Sequence, residues 1–253
     1  MDFNYKETHF NNLRDMITGA AWKDVSISWP TVGIFDEERR FGGGDFPATA
    51  CTMIGQNKMD HLRKLCEDVI ENKIPGDFIE TGVWRGGACV FMAGILKYHS
   101  ITDKKVWVAD SFEGLPKPNA EKYPKDAGDM HYTMSGQLAI SLDSVKENFK
   151  KFDLLTDQVQ FLKGFFSETL PTAPIEKLSI LRLDGDMYES TMDGLVNLYP
   201  KLSVGGYIII DDWGLQPCKD AIYDYRAEHG ITEEIQYDPL RPWPDYAFWR
   251  KEK

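Results

Sequence analysis

The chain has 253 residues, and its 40 acidic against 29 basic side chains leave a formal net charge of −11 with no Lys/Arg-rich run. Binding a phosphate backbone needs a basic face, so this balance excludes DNA and RNA as partners. No apolar run approaches the roughly 20 residues that cross a bilayer, so a soluble chain with no membrane partner is expected, large enough for one α/β domain with an extension.

In chain order, Met1–Met16 is polar and charged without an apolar signal core, which leads us to expect a cytoplasmic protein. A short helix is expected near Tyr5–Ala20. It is followed by WPTVGIFDEERRFGGGDFPAT, whose glycines, proline and aromatics suit a mobile flap over a site better than a second core. Residues 1–55 are therefore read as an N-terminal extension serving as lid or assembly arm, and residues 56–253 as the catalytic domain. The domain opens with an amphipathic helix over Met59–Ile70, where Met59, Leu62, Leu65, Cys66, Val69 and Ile70 share one face.

From Ile79 onward, apolar runs alternate with helical patterns over Ala88–Tyr98, Leu142–Phe152 and Asp193–Leu202. Such alternation implies a mostly parallel sheet with helices on both faces, a Rossmann-like α/β fold. The closing segment YAFWRK is expected as an antiparallel strand added to that sheet. Cys51, Cys66, Cys89 and Cys218 lack CxxC spacing and read as buried free thiols rather than as a zinc site.

The first strand runs into GDFIETGVWRGGAC, where Glu80, Thr81, Gly82, Val83, Gly86 and Gly87 form a strand-to-helix turn that lets a ligand approach the backbone. The G-x-G-x-x-G fingerprint of dinucleotide sites is absent. Asp110, ending KVWVAD, is placed to accept hydrogen bonds from both hydroxyls of an adenosine ribose. NAD and S-adenosylmethionine share that ribose. Glu80 would repel a pyrophosphate, whereas the ammonium and sulfonium of S-adenosylmethionine tolerate it, and an NAD-dependent oxidoreductase or epimerase becomes the distant alternative. Gly164 and Phe165, ending the third strand, offer a place for adenine against an aromatic face.

Two later strands end in paired acids: SILRLDGDMYEST in Asp184 and Asp186, GGYIIIDDWG in Asp211 and Asp212. Ligands of open α/β sheets bind beyond the carboxyl ends of strands, so these acids should converge, and a shared hard cation such as Mg²⁺ would relieve their repulsion. Asp186, beyond Gly185, is the candidate general base. The competing reading has Asp211 and Asp212 capping the next helix. His131 lies in an irregular segment and is expected to be a solvent-exposed loop histidine rather than a catalytic one. Trp243, Phe248 and Trp249 either wall an acceptor pocket or close the core.

At these residues the sequence resembles the macrocin O-methyltransferase family, metal-dependent enzymes that methylate sugar hydroxyls of antibiotics such as macrolides and aminocoumarins. The resemblance rests on TMIG at Thr52–Gly55, PGDFIETGVWRGGAC, VWVADSFEGLP, DQVQFLKGFFSETLPTAP, LSILRLDGDMYESTMD and LSVGGYIIIDDW, in that order. It implies the class I methyltransferase fold, S-adenosylmethionine as donor and Mg²⁺ as activator. It also implies Asp184, Asp211 and Asp212 as metal ligands and Asp186 as base. Thr52, Met53, Glu80, Thr81, Gly82 and Asp110 would form the donor site, with Ser111 beside the ribose. A homodimer or larger homo-oligomer is implied as well. Residues 1–50 and Lys117–Ser141 carry little of the match, so the small-molecule hydroxylated acceptor is left between a glycoside and a hydroxyl on a peptide or polyketide.

Overall fold

The computed structural model describes residues 4–237 and 246–253; Trp243 lies outside them. Among the described residues, seven strands, β1 (Asp77–Thr81), β2 (Val106–Asp110), β3 (Val159–Lys163), β4 (Leu178–Leu183), β5 (Leu202–Ile210), β6 (Gln236–Tyr237) and β7 (Ala247–Arg250), form one sheet. Their order is β3-β2-β1-β4-β5-β7-β6. The first five pair in parallel, and β7 runs antiparallel to both β5 and β6, as YAFWRK led us to expect. The two-residue β6 at the edge was not anticipated.

The helices are α1 (Tyr5–Ile17), α2 (Glu37–Gly42), α3 (Gly55–Glu71), α4 (Gly87–Tyr98), α5 (Ser135–Leu138), α6 (Leu142–Lys151), α7 (Phe166–Thr169), α8 (Tyr188–Leu198) and α9 (Gln216–His229). Side chains alternate across a strand, so each central strand feeds two cores. Phe78, Val106, Val108, Ile180 and Ile209 pack with α1, α3, α4 and α6. Ile79, Trp107, Leu181, Leu183, Ile208 and Ile210 pack with α8 and α9. Trp249 is fully buried in the second core, while Phe248 packs against the first. All four cysteines are free and buried.

The helix expected over Asp193–Leu202 starts at Tyr188 and stops at Leu198; Tyr199–Lys201 is a 3-10 turn and Leu202 already belongs to β5. Pro200 cannot continue the helix. Its start is set from a distant loop, because Asp126 accepts the backbone N–H of Tyr188 at 2.7 Å and of Glu189 at 3.0 Å.

The glycine- and aromatic-rich segment after α1 is held together internally by a buried ion pair. Arg40 donates to Asp45 at 3.0 and 2.9 Å, to the Thr18 carbonyl at 2.9 Å and to the Asp24 carbonyl at 2.7 Å. Asp24 in turn accepts the N–H of Thr49 and Ala50. Phe10 and Ile17 of α1 belong to the same core as α3 and α4. No helix among the described residues is long and apolar enough to cross a membrane.

Candidate active site

Strand register places the chemistry. Thr81 of β1 is level with Ala109 of β2 and Leu183 of β4, and Leu183 is level with Ile210 of β5. One residue further along, Gly82, Asp110, Asp184 and Asp211 therefore emerge side by side at the carboxyl edge. The strand order reverses between β1 and β4, which is where open α/β sheets leave a ligand crevice. Gly82 is required there. With φ +84°, a Cβ on it would sit 1.6 Å from the Asp184 carbonyl oxygen, so any side chain would push the two strand ends apart.

The crevice is a cavity of about 600 Å³. Of the residues singled out from sequence, Thr52, Met53, Glu80, Gly82, Val83, Asp110, Ser111, Phe165, Asp184, Asp186, Asp211 and Asp212 line it. Thr81, Gly87 and Gly164 do not. Thr81 is buried beneath, its hydroxyl 3.5 Å from the Arg182 carbonyl. Gly87 opens α4 where a Cβ would strike the Cys51 carbonyl, and Gly164, at φ +142°, shapes the turn out of β3.

Asp110 accepts the N–H of Val83 and of Phe112, each at 2.7 Å, one on each oxygen. The Ser111 hydroxyl lies 3.5 Å from one of these oxygens and the Trp84 N–H also reaches the carboxylate, which still borders the cavity where a ribose hydroxyl could donate to it. Burial raises the Asp110 pKa, and the hydrogen bonds from Phe112 and Val83 oppose that rise.

Arg182 is the residue that sequence reasoning missed. It lies opposite Glu80 in the β1–β4 register, is 1% exposed and makes ion pairs with Glu80, with Asp184 (2.7 Å) and with Asp211 (2.6 Å). Lys58 of α3 adds a second cation, 3.1 Å from Asp211. Glu80 also accepts the Cys89 thiol at 2.9 Å, so its carboxylate is already committed where it meets the cavity. The signal was a lone arginine inside the apolar run LSILRL, since a charge in a strand covered on both faces must be paired.

Five carboxylates, on Glu80, Asp184, Asp186, Asp211 and Asp212, thus face two fixed cations. Burial would raise Asp211, but Lys58 and Arg182 hold it below the usual carboxylate range. Asp184 and Asp212 are pushed well up by burial and by neighbouring acids. Burial raises Asp186 to about 6, opposed by His131. Asp211 and Asp212 do not cap α9, whose preceding residue Leu215 makes no side-chain cap; instead Asp212 accepts the Asp186 N–H at 2.8 Å.

Asp186 sits at φ +59°, the centre of a three-residue turn closed by the Met187 N–H on the Gly185 carbonyl at 2.6 Å. Trp84 and Phe112 are also left-handed, at φ +48° and +58°. Of these, Trp84 and Asp186 line the cavity, which fits a site whose geometry is fixed by its surroundings.

One oxygen each from Asp184, Asp211 and Asp212 lies within 4.8 Å of the others. An all-oxygen donor set short of positive charge fits a hard divalent cation. A pH prediction follows from the acids. A carboxyl whose folded pKa is raised contributes stability below its unfolded pKa and loses it as pH rises through the folded value. Asp186, Asp184 and Asp212 all have that sign, so the melting midpoint of metal-free protein is expected to fall as pH rises from about 4, the unfolded value, through the Asp186 value of about 6. Added Mg²⁺ should narrow that fall, and melts in chelator and in Mg²⁺ across this range would check it.

His131, in the 3-10 turn His131–Met134, lines the cavity wall with its Nδ1 2.9 Å from Asp129, although its side chain remains 36% exposed. Lys117, Asn119, Met134 and Leu138 from the same irregular segment also line the cavity, and Phe46 reaches it from the N-terminal segment.

Comparison with known proteins accounts for this arrangement. The profile of the Macrocin-O-methyltransferase (TylF) family matches residues 5–251. The chain belongs to this family. It is an S-adenosylmethionine-dependent O-methyltransferase of the class I fold, and so not an NAD-dependent oxidoreductase. A demethyldecarbamoylnovobiocin O-methyltransferase of Streptomyces niveus is 52% identical over 79% of this chain and 77% of its own length. The 8-demethyl-8-(2,3-dimethoxy-alpha-L-rhamnosyl)-tetracenomycin-C 4'-O-methyltransferase of Streptomyces olivaceus is 42% identical over 91% and 88%. Among solved structures, the O-methyltransferase NovP superposes with a TM-score of 0.91 at 44% identity, covering 98% of this chain and 99% of that one.

Proposed function

We propose that this macrocin-type enzyme methylates a sugar hydroxyl of a glycosylated natural product, with Asp186 as general base and Mg²⁺ held by Asp184, Asp211 and Asp212. The observation that carries the reading is the convergence of D-G-D and D-D at adjacent strand ends beside Asp110, within one cavity. The relatives named above support the sugar, since one acts on a rhamnosyl 4' position by its name.

S-adenosylmethionine supplies an electrophilic methyl group whose bond to sulfur breaks with the electron pair leaving on a neutral thioether. A divalent cation at the three aspartates would act as a Lewis acid on the acceptor hydroxyl. Asp110 would accept the ribose hydroxyls of the donor where its carboxylate borders the cavity. Phe165 and Val83 wall the donor. The acceptor oxygen forms the new C–O bond while its proton passes to Asp186, which the Met187 and Asp212 hydrogen bonds hold in place. Trp84, whose indole N–H donates to the Gln137 carbonyl at 2.9 Å, helps bind the covering segment and exclude water.

Residues 1–55 would serve assembly into a homo-oligomer as well as covering the acceptor. Trp29, Val32 and Ile34, at 87%, 63% and 58% exposure, form an apolar surface of the kind that a second copy covers.

The test supplies labelled S-adenosylmethionine with demethyldecarbamoylnovobiocin and separately with its sugar-free aglycone, and locates the new methyl by NMR. Label on a sugar oxygen of the glycoside alone is expected. Equal labelling of the aglycone would favour a non-sugar hydroxyl instead.

A further inference from the structure

On the wall of the cavity, His131 has no part in the chemistry described above. Asp129 accepts His131 twice, from the backbone N–H at 2.8 Å and at ring Nδ1 at 2.9 Å. The Asp129 side chain is only 7% exposed, so the ring is gripped by a buried carboxylate and its orientation is fixed. With Nδ1 donating its proton to Asp129, Nε2 is the nitrogen left over, and it has no partner among the described residues. The ring itself lines the cavity that also holds Asp186, Glu189 and Asp193.

We infer that His131 is an acceptor-binding residue: its Nε2 hydrogen-bonds the sugar oxygen adjacent to the hydroxyl that Asp186 deprotonates. This rests on the glycoside reading above and adds the group that sets which hydroxyl reacts. The surrounding wall is acidic. Asp186, Glu189 and Asp193 accept hydrogen bonds and repel an anionic acceptor, which leaves a neutral polyol as the matching ligand. Lys117, Asn119 and Ser190 also line the cavity and can donate, but His131 differs in having its ring fixed by a buried carboxylate. An imidazole can serve in either sense, because Nε2 accepts when the ring is neutral and donates when it is protonated. The Asp129 and Asp186 charges both favour the protonated ring. A buried carboxylate that fixes the far side of a ring is also the arrangement by which histidines are aimed at ligands elsewhere.

The test compares the parent enzyme with His131→Phe, His131→Gln and Asp129→Asn. Labelled methyl transfer is followed to demethyldecarbamoylnovobiocin and to its analogue deoxygenated at the sugar carbon beside the methylated one. His131→Phe is expected to lower kcat/KM roughly 10- to 100-fold, the usual range for losing a hydrogen bond to a part-charged partner, with the affinity for S-adenosylhomocysteine and the melting midpoint unchanged. His131→Gln should recover part of the loss, and Asp129→Asn should fall between. On the deoxygenated analogue the parent should drop to the level of His131→Phe, and the substitution should add nothing further. A His131→Phe enzyme as fast as the parent, or one losing the same factor on both acceptors, would overturn the assignment, as would a changed donor affinity. A parent enzyme that binds S-adenosylhomocysteine yet methylates neither glycoside contradicts the glycoside reading itself and takes this inference with it.

Discussion

Arg182→Met is expected to destabilise the protein by about 3–5 kcal/mol, the cost of removing one partner from a buried ionic cluster. For a chain of this size that lowers the melting midpoint by roughly 10 °C. The guanidinium is 1% exposed and faces Glu80, Asp184 and Asp211 at once. Without it, three acids at adjacent strand ends retain only Lys58 as a fixed cation at Asp211. A second substitution isolates the electrostatic cause. Glu80→Met in the Arg182→Met background removes the deepest unpaired acid, so the double variant should melt above the single one. Differential scanning calorimetry of the parent and both variants would show it, and a double variant melting below the single one would mean that packing, not charge, dominates.

Asp186→Asn is expected to lower kcat by about 10²- to 10⁴-fold, the contribution of a positioned general base. Donor affinity should be unchanged, because Asp110 and the Val83 region are untouched. Asparagine keeps the shape and tolerates left-handed backbone, so the turn at φ +59° should survive. Quench-flow measurement of kcat, alongside calorimetric titration of S-adenosylhomocysteine, separates the two effects. Undiminished turnover would remove Asp186 from the reaction. Weaker donor binding at equal loss would instead make it part of the donor site.

The strand ends were legible because apolar runs that stop in acids mark both a core strand and its functional edge. Asp184, Asp211 and Asp110 follow from that pattern, and the parallel register then sets them side by side. The alternation of strands with helices similarly gave the sheet. Pairing partners were not legible. Arg182 and Glu80 are 102 positions apart, and only the register shows that each explains the other's burial. The expectation that converging acids need positive charge was right in its physics. It overlooked, however, that the protein supplies two cations of its own before any metal is added.

Irregular segments were the hardest to read. Asp126 starts α8 from 62 positions away, which no local capping pattern can reveal, and the start of α8 was accordingly placed five residues late. The contact of His131 with the cavity was hidden for a related reason. Loop residues have no periodicity to fix which side they face, so the buried Asp129 that orients it became visible only in three dimensions. In the N-terminal segment, composition does not reveal that Arg40 and Asp24 knit residues 18–50 together, or that Arg85 of the domain donates to the Pro47 and Ala50 carbonyls.

The most direct test of the account is methyl transfer from labelled S-adenosylmethionine to demethyldecarbamoylnovobiocin by protein freed of metal with EDTA, before and after Mg²⁺ is restored in excess. Transfer that vanishes in chelator and returns with Mg²⁺ is the predicted result, given three aspartate oxygens within 4.8 Å and too few fixed cations to neutralise them. Transfer at the same rate in chelator would contradict it. The paired acids would then have to act through Arg182 and Lys58 alone.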